Sequence, residues 1–74
     1  NIGSAEYVHK VIADGADRGM STILIAEDLD ELLKMSDRIA VMFRGQLVGY
    51  VDPRKTTREE IGLMMSGEKQ GGAG

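Results

Sequence analysis

The chain contains no cysteine, which excludes a disulfide framework and a Cys-based zinc site. It has no surplus of basic charge either. Nine Lys and Arg stand against twelve Asp and Glu, for a net charge of -3, so the electrostatic footprint of a nucleic-acid binder is missing. Its apolar runs are short: Ile23–Ala26 falls far below the roughly 20 residues that a membrane-spanning helix needs. Asn1-Ile2-Gly3-Ser4 carries neither the charged nor the apolar part of a signal peptide. An abrupt start inside what reads as the beginning of a helix predicts a piece cut from a longer protein. At 74 residues the chain has room for one small domain at most. A domain of this size buries only about 60% of its unfolded surface. Its core is therefore marginal, and packing against something outside the chain is expected. The lack of cysteine is compatible with the cytosol. There is no internal repeat.

The local signals alternate between helix and strand. Ser4 reads as an N-cap, and Tyr7, Val8, Val11 and Ile12 follow at helical spacing. That helix is expected to stop near Asp17–Arg18, with Gly19 as its left-handed terminator. Gly15 weakens its last turn by up to about 1 kcal/mol relative to Ala. Thr22–Ala26 is a short β-branched, apolar run, apolar on both sides, which suits a central parallel strand covered on both faces. Asp28 can cap a second helix with Leu29, Leu32 and Leu33 as its apolar stripe, and Asp30 and Glu31 favour its positive end. Arg38–Phe43 and Gln46–Val51 read as strands joined by a tight turn at Arg44-Gly45. Asp52-Pro53 ends the second of them. Thr57 and Glu60 form a capping box for a last helix, with Ile61, Met64 and Met65 inward and Gly67 as its stop. The predicted fold is α/β, in the order αβαββα, with one parallel crossover and an antiparallel hairpin. Residues 1–67 form the domain, and the Gly-rich residues 68–74 are expected to be a disordered tail.

Among candidate functional residues, Glu27 stands out. It follows a buried-type strand at its carboxyl end, where ligands of open α/β sheets sit. A carboxylate there can orient a water, accept a proton or bind a metal. It can equally be a solvated acid near a helix N-terminus. Asp28, Asp30 and Glu31 extend the acidic cluster, for which capping and a solvated helix face are the better reading, since the loop is too short for a calcium site. His9, the only histidine, is expected to be exposed and without an acidic partner. No Gly-rich phosphate loop is present, and no serine has a catalytic arrangement. Met35, Met42, Met64 and Met65 are expected to fill gaps on apolar faces. A short chain so rich in apolar strand residues is also expected to expose a patch.

The stretch Ser21 to Leu32, with Glu27-Asp28 at its centre, leads into Met35-Ser36-Asp37-Arg38-Ile39-Ala40-Val41-Met42-Phe43-Arg44-Gly45-Gln46-Leu47-Val48-Gly49. Together these residues resemble the end of an ABC-transporter ATPase domain, where a strand leads to the switch motif, a helix and then a hairpin. The likeness is greatest to the second ATPase half of the simple-sugar and nucleoside importers. Asp52-Pro53 and Thr57 to Met64 look like that subfamily too, and the resemblance covers about residues 1–67. It implies that Asn1-Ile2-Gly3 corresponds to the end of the D-loop facing the opposing half, where the family usually has Asp at the place of Asn1. It also implies that Glu27 takes the switch position, where competent halves carry a histidine against the γ-phosphate. A carboxylate cannot donate to phosphate oxygens, and its charge repels them, so the parent half is expected to be catalytically weakened. This substitution is common in the second halves of the subfamily.

The phosphate loop, Q-loop, signature motif and acidic pair would all precede Asn1. The resemblance therefore implies ATP and Mg as cofactors of the parent protein and none for the fragment, which is expected to be ATPase-inactive. The implied partners are the missing N-terminal part of the ATPase, the opposing ATPase half and a membrane permease. The implied location is peripheral, on the cytoplasmic face of a prokaryotic membrane. Bared strand edges leave self-association as a further expectation. A competing reading is a CBS-like nucleotide-sensing module acting as a dimer, with Ala40–Val51 as its hairpin. It leaves Glu27-Asp28 and Ser36-Asp37-Arg38-Ile39 unexplained. A third is an interaction domain with a Met-rich face.

Overall fold

In the computed structural model, residues 2–68 are described. They form helix α1 (Ile2–Asp17), helix α2 (Leu29–Met35), strand β1 (Ile39–Phe43), strand β2 (Gln46–Val51) and helix α3 (Arg58–Met65). The two strands pair antiparallel, and α3 packs across both.

The hairpin follows from its turn chemistry. Arg44 has φ 51° and Gly45 φ 77°. Positive φ at both central residues is the two-residue turn whose twist matches paired strands. Along β1 the side chains alternate, with Ile39 and Val41 buried and Ala40 and Met42 exposed, as a strand with one covered face requires. On β2 the alternation breaks. Val41 opposes Gly49 while Met42 opposes Leu47, leaving Val48 as an extra, bulged residue. The bulge shifts the phase so that adjacent Val48 and Gly49 are both half-buried. Arg38 lies 4.8 Å from the centroid of the Tyr50 ring, and Arg44 lies 5.2 Å from that of Phe43, both within cation–π range.

Helix α3 begins at Thr57, whose hydroxyl accepts the Glu60 amide at 3.1 Å, and Glu60 in turn accepts the Thr56 hydroxyl. It ends with the Glu68 amide on the Leu63 carbonyl and the Gly67 amide on the Met64 carbonyl, the paired bonds of a Schellman cap. Gly67 has φ 80°, and a Cβ there would stand 2.7 Å from the Phe43 ring, so both the conformation and the space exclude a side chain. The core is small: Ile39, Val41, Ile61 and Met64, with Leu29, Leu32, Leu33, Val48 and Val51 half-buried around them.

Several expectations need correcting. Helix α1 already includes Ile2, so Ser4 lies in its first turn instead of capping it; serine inside a helix costs only a few tenths of a kcal/mol. The first strand of the hairpin begins at Ile39 rather than Arg38. Met65 is 45% exposed and Met42 60%, because α3 and β1 each turn a single face to the core. Thr22–Ala26 forms no strand and no parallel crossover among the described residues. A parallel strand takes its hydrogen bonds from strands beside it, and among the described residues the strands β1 and β2 pair only with each other. The segment has no regular secondary structure, and Ile23 and Ile25 are 90% and 93% exposed.

The end of α1 shows what Gly15 does. The Met20 amide bonds to the Gly15 carbonyl and the Gly19 amide to the Ala16 carbonyl, a second Schellman cap. The Met20 side chain folds back over Gly15, where a Cβ would lie 2.1 Å from Met20 Cε. The glycine lowers helix propensity but leaves room for the apolar contact that this cap favours.

With a radius of gyration of 13.3 Å, the chain is more spread than a globule of its length, for which about 11 Å is usual.

Candidate functional site

Residues 22–26, without regular secondary structure, lead to Glu27 at a bend directly before α2. Asp28 caps α2: its Oδ1 accepts the Asp30 amide at 2.9 Å and the Glu31 amide at 3.3 Å. Backbone φ and ψ of -83° and 108° put Asp28 in the extended region proper to an N-cap. The cap fixes the direction in which the chain leaves Glu27. Glu27 itself is exposed, and among the described residues no hydrogen bond or ion pair holds its carboxylate.

The other acids around it are engaged. Asp30 accepts from Arg58 at the start of α3, which ties the first turns of α2 and α3 together. Glu31 meets His9 of α1, with Nε2···Oε2 at 2.5 Å. His9 was expected to be exposed and unpaired; its side chain is 22% exposed and that of Glu31 25%. The two residues are 22 positions apart, and no local pattern in the sequence announces the pair. It appears only because the cap at Gly19 turns the chain back past α2. The acidic cluster is thus a set of caps and inter-helix ties in which Glu27 is the member left to solvent.

Asn1, the other residue singled out from sequence, lies outside the described residues. Among the described residues no group of three or more His, Asp or Glu side chains is placed to hold a metal ion, and no helix is long and apolar enough to cross a membrane. Glu27 alone does not suit a nucleotide or its magnesium. One exposed carboxylate repels phosphate oxygens and offers a cation a single ligand.

Known proteins supply the context. The chain is 40% identical over 74 residues to the guanosine import ATP-binding protein of Bacillus subtilis, covering all of this chain and 14% of that protein. It is 43% identical over 67 residues to a nucleoside import ATP-binding protein of Lactococcus lactis, covering 90% of this chain and 13% of that one. It is 39% identical over 67 residues to a glucose import ATP-binding protein of Haloferax volcanii, covering 90% and 12%. No protein-family model matches the chain, and no solved structure matches it.

The chain belongs to the ATP-binding proteins of ABC transporters, as a stretch spanning about one seventh of the length of the curated relatives it matches. More narrowly, those relatives are ATP-binding proteins for the import of nucleosides and sugars. They give the CBS-like reading no support.

Proposed function

We propose that this chain is the closing part of an ATP-binding subunit that energises an importer of sugars or nucleosides. Residues 1–67 complete its ATPase domain; the tail expected from the sequence falls, beyond Glu68, outside the described residues. The parent protein uses ATP with magnesium and sits on the cytoplasmic face of the membrane, partnered by a permease and an opposing ATPase half. In that assembly residues 22–26 become a parallel strand and complete the crossover that the isolated chain leaves open. Asn1 lies at the interface between halves, and Glu27 stands at the γ-phosphate edge in place of an imidazole.

The observation that carries this reading is the position of Glu27. It is an exposed carboxylate at the end of a largely apolar segment, immediately before an Asp28-capped helix, in a chain homologous to import ATP-binding proteins. Its role follows from its chemistry: an ionised carboxylate accepts hydrogen bonds and donates none, so it weakens rather than assists phosphoryl transfer. Calorimetric titration of the chain with Mg-ATP is expected to show no binding, and millimolar or tighter affinity would overturn the fragment reading. In the whole subunit, Glu27→His is expected to raise hydrolysis at that half. Unchanged turnover would remove Glu27 from the phosphate edge.

A further inference from the structure

Resting on the reading that Glu27 stands at the phosphate edge, we propose that His9 is a positioning residue for that site, acting through Glu31. Asp28, the residue after Glu27, is gripped by two backbone amides, those of Asp30 at 2.9 Å and Glu31 at 3.3 Å. The side chains of those same two residues are held from outside the helix. Asp30 accepts from Arg58 at the start of α3, and Glu31 meets His9 of α1. The cap that sets the direction of the chain at Glu27 is therefore anchored to the helices before and after α2, through adjacent residues.

The two anchors differ in strength. The side chains of Arg58 and Asp30 are 59% and 71% exposed, and a pair so open to water contributes little. Those of His9 and Glu31 are 22% and 25% exposed, and water competes less for their contact. A carboxylate only accepts, so the imidazole donates from Nε2. Helix α2 needs such an anchor. It has seven residues, none of them buried, and a helix so short has little stability of its own. Leu29, Leu32 and Leu33 lie half-buried against the core, but apolar contact is non-directional. It holds α2 down without fixing how the first turn is aimed. The bond from His9 fixes that aim, and with it the bend at Glu27. Phosphoryl transfer depends on positioning of this kind. The contact joins two residues of this chain and relies on no exposed face.

The test uses the whole subunit with its permease, in the Glu27→His background that is expected to hydrolyse faster. There His9→Ala is expected to lower kcat about threefold to tenfold, the scale of one hydrogen bond, with the KM for Mg-ATP within about twofold. His9→Gln keeps an N–H donor at similar reach and is expected to restore most of kcat. Adding Glu31→Ala to His9→Ala is expected to lower kcat no further, because both act through one contact. Far-ultraviolet circular dichroism and assembly with the permease are the controls for folding. An unchanged kcat in His9→Ala, where Glu27→His does raise turnover, would overturn the positioning role alone. So would costs of His9→Ala and Glu31→Ala that simply add, or a His9→Gln variant no faster than His9→Ala. A Glu27→His subunit no faster than the natural one would remove both the phosphate-edge reading and the positioning role.

Discussion

The hairpin with α3 buries Ile39, Val41, Ile61 and Met64, whereas α1 and the segment after it leave Tyr7, Val8, Val11, Ile23 and Ile25 largely in solvent. Both regions carry apolar residues at the spacing their secondary structure requires. They differ in what the sequence supplies next. β1 is followed within two residues by β2, and α3 then returns across both strands, so one face of each element is covered by its neighbours in sequence. α1 is followed by a β-branched, apolar stretch that calls for neighbours on both edges. Periodicity therefore determines which face an element must bury, and the length of the chain determines whether the covering partner is present.

The comparison is broken or sharpened most strongly in the core. Met64→Ala, at a fully buried position, is expected to cost about 2–5 kcal/mol, a large part of any small domain's stability. Ile25→Ala, at a position 93% exposed, is expected to stay within about 0.5 kcal/mol of the parent chain. Urea denaturation followed by circular dichroism checks both, and equal costs would erase the distinction between the regions.

A smaller, local effect is expected at the tie between them. His9→Ala removes the contact to Glu31 and is expected to cost about 0.5–1.5 kcal/mol. Amide hydrogen exchange should speed up in α1 while β1 and α3 keep their protection. Uniform acceleration across the chain would show that α1 is integral to the core instead of joined to it.

The smallest effect concerns acid. The Arg54 backbone amide at 2.9 Å, followed by its side chain at 3.2 Å, holds the Asp52 carboxyl below the usual carboxylate range. A group with a lowered folded-state pKa contributes fully above its unfolded value of about 3.9, and that contribution disappears as pH falls through the folded value. Asp52 is only half-buried at this turn, so solvent keeps the effect slight. Asp52→Asn should lower stability slightly at neutral pH and converge with the parent chain as pH falls below about 4, flattening the acid limb of the stability–pH curve; a loss that persists undiminished in acid would contradict the assignment.

What was legible in the sequence follows the same division. The caps at Asp28 and Thr57, the turn at Arg44-Gly45 and the stops at Gly19 and Gly67 were all readable, because each depends on chemistry within a few residues. Ile61 and Met64 were readable as core from helical spacing. The pairing of His9 with Glu31 was not, since it joins positions brought together only by tertiary structure. The strand expected at 22–26 is missing for a related reason: β-branched residues favour an extended backbone, but a strand also needs a partner. Gly15 could be counted only as a weakness until Met20 was seen lying over it. At the candidate site, Glu27 and the Asp28 cap were conspicuous from their positions, while the ties from Asp30 to Arg58 and from Glu31 to His9 emerged only with the fold.

The bulge at Val48 leaves the hairpin one residue longer than its ladder requires. If that residue were deleted, Val41 and Gly49 would still face each other, as would Met42 and Leu47, and the turn at Arg44-Gly45 would be unchanged. The strands would zip more evenly while the interior lost a valine that packs against it. At this point the protein holds a less regular backbone in exchange for an additional side chain inside, so a more ideal hairpin would make a poorer domain.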